Sequence, residues 1–249
     1  MAVKKLFFNA AKARCECFIV LATFACFVTC FGTPASLAQQ TKSSTPASET
    51  EKLPVNWLYG PYVPKEAPLT AMSLKSRERL YERQTFTTPG IYVRSGFLGL
   101  IDQAEGNPKQ WGGGMGGYGQ RFASLYGRYL IQNSLSAPGN ALLQYEPRYD
   151  RCRCSGVWPR TRHALLRNFL TYNKTEKELR PQIALYGAAF AAGAISSTWR
   201  PQSGALSQGY GNMLTQAEFG LLSNWIGEFA PDIMRTINRK RSHRSGNDK

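Results

Sequence analysis

A chain of 249 residues that is 43% hydrophobic and 12% aromatic carries enough apolar mass for one substantial core, or for one core and a tail. Its formal net charge of +15 says little about fold but favours polyanionic partners: anionic lipid headgroups, acidic envelope polymers or nucleic acid. The same composition excludes a disulfide framework, because Cys15, Cys17, Cys26 and Cys30 crowd the N-terminal end and only Cys152 and Cys154 follow.

Residues 1–38 read as a secretory signal segment. Lys4, Lys5, Lys12 and Arg14 form a cationic start, and Cys17 to Phe31 then runs without a charge. Ser36-Leu37-Ala38 presents small residues at the positions a signal peptidase needs, with Gln39 as the first mature residue. The apolar run is short for a membrane span, which wants about 20 residues, so an uncleaved anchor is the rival reading. Residues 39–68 form a linker and strap: a Ser/Thr/Gln-rich stretch, then Pro54, Pro61, Pro64 and Pro68 around Trp57, Tyr59 and Tyr62, extended over something apolar.

A helical domain is expected over 69–240, with a basic tail at 241–249. Leu74, Arg77, Leu80, Tyr81 and Gln84 recur at helical spacing, and that helix ends before Pro89. Gly90 to Ala104 is a second helix, softened by Gly96 and Gly99. The run Trp111 to Gly117 breaks the chain, and a third helix is expected from Tyr118 to about Leu135, with Pro138 opening a short fourth. Glu146 to Gly156 is a loop, and Trp158 and Pro159 open a helix through Leu170. Residues 181–199 are free of charge, with small residues at four-residue steps: Gly187, Ala191 and Gly193 are the candidate helix-packing positions. That segment fits either a buried central helix or one inserted in a membrane. Phe219, Leu222, Ile226 and Phe229 stripe another helix, and Pro231 starts a last short one. No stretch alternates convincingly for a strand. The predicted fold is mainly α: an irregular bundle of six to seven Gly-softened helices with no substantial sheet.

The chemistry-bearing motifs are few. Gly112, Gly114 and Gly117 fit G-x-G-x-x-G, but no strand feeds them, so they read as a connector or a close-packing site. Ala205 to Gly209 imitates a nucleophile elbow without its strand. Cys152 and Cys154 read as two unbridged thiols, with a redox pair, activated by Arg151 and Arg153, as the alternative. His163 and His243 are the only histidines and lie far apart, so no metal site is expected, and no cofactor either. The positive signal is a cationic, aromatic stretch: Arg148, Arg151, Arg153, Arg160, Arg162 and Arg167 with Tyr149 and Trp158, a composition suited to an anionic surface.

Gly116-Gly117-Tyr118-Gly119-Gln120-Arg121, Glu146-Pro147-Arg148-Tyr149, Trp199-Arg200-Pro201 and Phe229-Ala230-Pro231-Asp232-Ile233 together resemble a family of exported bacterial envelope proteins of unassigned function, over roughly residues 70–240. Those proteins usually show Asp-Pro-Arg-Tyr where this chain has Glu146. The resemblance implies an envelope protein and carries over no catalytic residue. The expectation is therefore an exported, non-enzymatic protein of the periplasm or cell envelope. It would associate with anionic lipid or polymer through the Arg/aromatic face, with insertion of 181–199 as a further expectation and no nucleic-acid partner. The alternative is an envelope hydrolase acting on lipid or cell wall with His163 as base, oriented by Asp150 or Glu146.

Overall fold

The computed structural model describes residues 54–247 apart from 57, 59, 174–177 and 202–203. The signal segment, the linker to residue 53, Trp57 and Tyr59 lie outside the described residues, as do 248–249 and the side chains beyond Arg239. The fold is mainly α. Among the described residues there are six α-helices: α1 (Leu74–Glu82), α2 (Gly90–Ala104), α3 (Gly114–Leu142), α4 (Val157–Phe169), α5 (Ile183–Ser196) and α6 (Ala205–Asn247). Two small sheets accompany them. β1 (Val55–Asn56) pairs antiparallel with β2 (Gly60–Val63), which pairs parallel with β3 (Tyr149–Asp150), matching Tyr62 with Tyr149. β4 (Leu170–Tyr172) and β5 (Leu179–Pro181) form a hairpin.

Ser73 caps α1 by accepting the backbone N–H of Ser76 at 3.1 Å. The helix buries Leu80 against Met72 and Val55, so the strap contributes Val55 to an apolar cluster. A π-turn over Arg83–Thr87 carries the chain to Pro89, where helical backbone is disfavoured before the ring. α2 lies on α3. A methyl on Gly99 would come within 3.3 Å of the Tyr118 ring, so the glycine sets how near the two helices approach.

Two expected breaks are absent. The break ends at Gly113, and α3 begins at Gly114 instead of Tyr118, taking in Gly116 and Gly117; α3 then passes through Pro138 to Leu142 as one helix. Pro231 likewise sits inside α6, which is 43 residues long, instead of starting a separate helix. A proline removes one backbone hydrogen bond and crowds the preceding turn. Tertiary packing beside Pro138 holds the helix through that defect: Gly139 lies against Ala184 of α5, with 3.1 Å left for a β-carbon.

α5 is the central helix, packed against α3 and α6. Its small residues Ala188, Ala189, Ala192, Gly193 and Ala194 are buried. The α5–α6 seam interlocks in both directions: Gly193 makes room for Gln208 and Asn212, and Gly209 of α6 makes room for the Phe190 ring. Of the three expected packing positions, Gly193 is in the seam, Ala191 is half-buried, and Gly187 is exposed with open space around it. Insertion of 181–199 is not what the structure shows. At 14 residues α5 is about 21 Å long, against about 30 Å of bilayer hydrocarbon, and both its neighbours are protein. No helix among the described residues is long and apolar enough to cross a membrane. A β-carbon at Gly193 would lie 2.7 Å from Asn212 Cβ, so Gly193→Ala should cost about 1–3 kcal/mol through forced separation of the helices. A urea midpoint equal to the wild type would refute that.

Candidate functional site

The interior is unusually polar for its size. Ser95, Arg121, Gln132, Arg148, Arg167, Asn168, Thr171, Asn212 and Glu228 are all buried, whereas large apolar side chains such as Leu74, Phe97, Trp158 and Leu222 are exposed. α4 shows the inversion most clearly. Trp158, Arg162, Leu165, Leu166 and Phe169 fall on one 100°-wide stripe of the helix and all face outward, with Trp158 73% exposed. The opposite stripe, Arg160, His163, Ala164 and Arg167, faces inward.

The inward cations meet carboxylates brought from far along the chain. Arg167 is paired with Asp150. Arg160 donates to Glu228 Oε1 at 3.1 Å and to Asp232 Oδ2 at 2.6 Å, and its Nη2 bonds the Glu228 carbonyl. Glu228 Oε2 also accepts the Tyr149 hydroxyl at 2.9 Å and the Cys152 N–H at 3.1 Å. Burial, followed by the neighbouring Glu228 charge, holds the Tyr149 phenol well above its ordinary pKa. The hydrogen bond from Arg160 holds the Asp232 carboxyl below its usual range. Arg148 is clamped by both oxygens of Glu146, at 2.8 and 3.1 Å, and also donates to the Thr70 carbonyl.

The expected Arg/aromatic face is thus divided. Arg153, Arg162 and Trp158 are exposed; Arg151 and Arg160 are half-buried, Arg151 over the Tyr62 ring; Arg148, Arg167 and Tyr149 are turned into the protein. Cys152 and Cys154 form a disulfide and are not free thiols. The loop doubles back between them, bringing their Cα atoms within 5.2 Å, a bridgeable distance.

His163 Nε2 lies 2.7 Å from the Asp150 carbonyl, which can only accept, so Nε2 carries the proton there. The Asp150 carboxylate is 3.7 Å from that same nitrogen and is engaged by Arg167, while Glu146 is engaged by Arg148. The groove described below and the two smaller cavities are lined without His163. The glycine run is equally unsuited to phosphates. The Gly112 carbonyl and those of Asn107 and Pro108 converge on the fully buried Arg121, and Gly117 has no room for a β-carbon beside the Trp111 carbonyl. Ala205 to Gly209 forms the first turns of α6.

A groove of about 420 Å³ is lined from nearly every element. Val93 and Phe97 of α2 and Phe219, Leu222 and Ile226 of α6 make its apolar side. Arg94, Tyr129 and Gln132 line it where it shares walls with a smaller cavity, and Arg148, Tyr149 and Arg167 also line it. Across α3 and α6, Asn212 donates to Gln132 Oε1 at 3.2 Å, and Gln132 donates to Gln216 at 2.8 Å. The uncharged polar stretch at 203–217 therefore supplies this amide chain. Arg94 is the residue that sequence reasoning passed over. It sits alone in an apolar helix, and a single cation on such a helix was the available signal. Compared with protein-family models, curated proteins and solved structures, the chain matches none of them.

Proposed function

We propose that this is an exported, non-enzymatic envelope protein that docks on an anionic membrane surface through the outward stripe of α4. The observation that carries the reading is the inverted amphipathicity of that helix. Its cations are spent on interior carboxylates, and its indole, leucines and phenylalanine are left facing out, with Arg162 among them and Arg153 on the preceding loop. Phe169 stacks on Tyr186 of α5 at 5.9 Å, and Ile183, one turn away, is also exposed, which extends the apolar surface beyond one helix. An aromatic and aliphatic surface edged by arginine is suited to the headgroup region, where rings sit at the interface and basic residues are drawn to anionic lipid. The resemblance to exported envelope proteins and the signal-like first 38 residues support the same location.

Binding of the mature protein to phosphatidylglycerol vesicles, followed by co-sedimentation, tests this. The wild type should bind these vesicles in preference to neutral phosphatidylcholine, and 0.5 M salt should weaken binding by screening the arginines. Trp158→Ser with Phe169→Ser should reduce binding at least tenfold, since each side chain buried is worth about 1.5–3 kcal/mol. Equal binding by that double variant, or a wild-type dimer that the same substitutions dissociate, would replace the membrane with another occupant.

A further inference from the structure

We propose that the groove binds an oxyanion-headed amphiphile, a single apolar chain ending in a carboxylate or phosphate, with the head between Arg94 and Arg128 and the chain along Phe97, Phe219 and Leu222. This site is separate from the outward face of α4 and does not depend on what that face meets.

The case begins with a missing counter-charge. Arg94 of α2 and Arg128 of α3 line a cavity of about 20 Å³ that shares the walls Arg94, Tyr129 and Gln132 with the groove. Among the described residues neither guanidinium has a hydrogen-bond or ion-pair partner. Arg94 lies over the Phe219 ring at 4.3 Å and near the Tyr129 ring at 5.8 Å, contacts that orient a cation without neutralising it. Arg200 is the third guanidinium close to Arg128, and it occupies the nearby carboxylate, Asp102, at 3.0 Å. Three cations therefore share one anion. Arg94 is half-buried by surface area, yet its charged end is desolvated enough to lower its pKa. Desolvation, then repulsion from Arg200, pushes Arg128 down to about 10, with Asp102 opposing. A water fits 20 Å³ and can solvate these groups, but it cannot balance their charge.

The remainder of the ligand follows from the walls. Arg148 and Arg167 also line the groove but are already paired with Glu146 and Asp150, so the cationic end is the one at Arg94. Beside it the wall turns apolar, through Phe219 under the Arg94 guanidinium and through Phe97, Leu222 and Ile226. Phe97 and Leu222 are 57% and 54% exposed, so the mouth is open to an entering chain. The volume is in the range of small-molecule sites.

Calorimetric titration of the full mature protein, without vesicles and below micelle-forming concentrations, decides the matter. Dodecanoate and dodecyl phosphate should bind, and whichever binds tighter identifies the headgroup. Dodecanol, lacking the charge, and inorganic phosphate, lacking the chain, should each bind at least tenfold more weakly. Arg94→Met and Arg128→Met should each weaken binding of the preferred ligand at least tenfold. In the ligand-free protein their Tm should be unchanged or raised, because an unpaired cation is replaced by a chain of similar shape. The Trp158→Ser, Phe169→Ser variant should bind the amphiphile as the wild type does, so failure at the membrane and failure at the groove are told apart. Dodecanol matching dodecanoate overturns the anionic head, and inorganic phosphate matching dodecyl phosphate overturns the chain. Methionine variants that bind normally, or that melt well below the wild type, make the arginines structural and overturn the site.

Discussion

Glu228→Ala should destabilise the protein by about 3–5 kcal/mol, the scale of breaking a buried ion pair from one side and a large share of the 5–15 kcal/mol that holds a typical domain. The carboxylate is 1% exposed and serves three partners on two other segments: Arg160 from α4, and the Tyr149 hydroxyl and Cys152 N–H from the loop before it. Removing it strands all three, and Asp232 is too exposed to compensate Arg160 fully. Glu228→Gln keeps a hydrogen-bonding oxygen and should cost clearly less. Chemical denaturation with an unchanged m-value is the measurement, and an alanine variant within 1 kcal/mol of the wild type would mean that the hub is not structural. An alkaline limb belongs to the same network. The Tyr149 phenol is raised in the folded state. Its contribution is therefore complete below the unfolded value of about 10 and is lost as pH climbs from there towards the folded one. Tyr149→Phe should flatten that limb.

Arg121→Lys should be nearly as damaging as Arg121→Ala, each costing about 3 kcal/mol or more. The side chain is fully buried and donates to the carbonyls of Asn107 (3.0 Å), Pro108 (2.9 Å) and Gly112 (2.9 Å) and to Gln103 Oε1 (2.6 Å). Those acceptors surround a planar fork, which a lysine ammonium cannot reproduce. Both variants should release the connection between α2 and α3, read as new proteolytic cutting between Asn107 and Gly117 together with a lowered Tm. A lysine variant that melts with the wild type and resists cutting would show that charge alone suffices there.

Much of the helical layout was legible. The spacing of Leu74, Leu80 and Tyr81, the proline at 89 and the charge-free run at 181–199 place α1, α2 and α5 within a few residues. The misjudged boundaries were at Pro138 and Pro231, where a local rule about helix starts failed: packing of Gly139 on α5 carries the helix past the first, and at the second α6 runs on beyond its packed turns. The site was less legible for a different reason. Periodicity shows that α4 is amphipathic but not which stripe faces the protein, and the usual assumption puts arginine outside. Here the deciding partners, Asp150, Glu228 and Asp232, lie as far as 72 residues away in sequence. Arg94 has no hydrogen-bond or ion-pair partner among the described residues, and its one linear signal, a lone cation on the apolar helix α2, does not show that it lines a groove. Gly193 succeeded as a packing position and Gly187 did not, because the two residues, six apart, face different sides of α5.

α6 outlasts the body it is packed on. From Asp232 to Arg239 every residue is exposed, Ile233, Met234 and Ile237 included. A segment of that length detached from the chain would hardly be helical in water. Its order is borrowed across Pro231 from the anchored turns before it. The stretch of α6 beyond Pro231 is therefore a projection held at its root, where Arg160 clasps Asp232, so that whatever loosens that clasp also shortens the reach of the stretch beyond it.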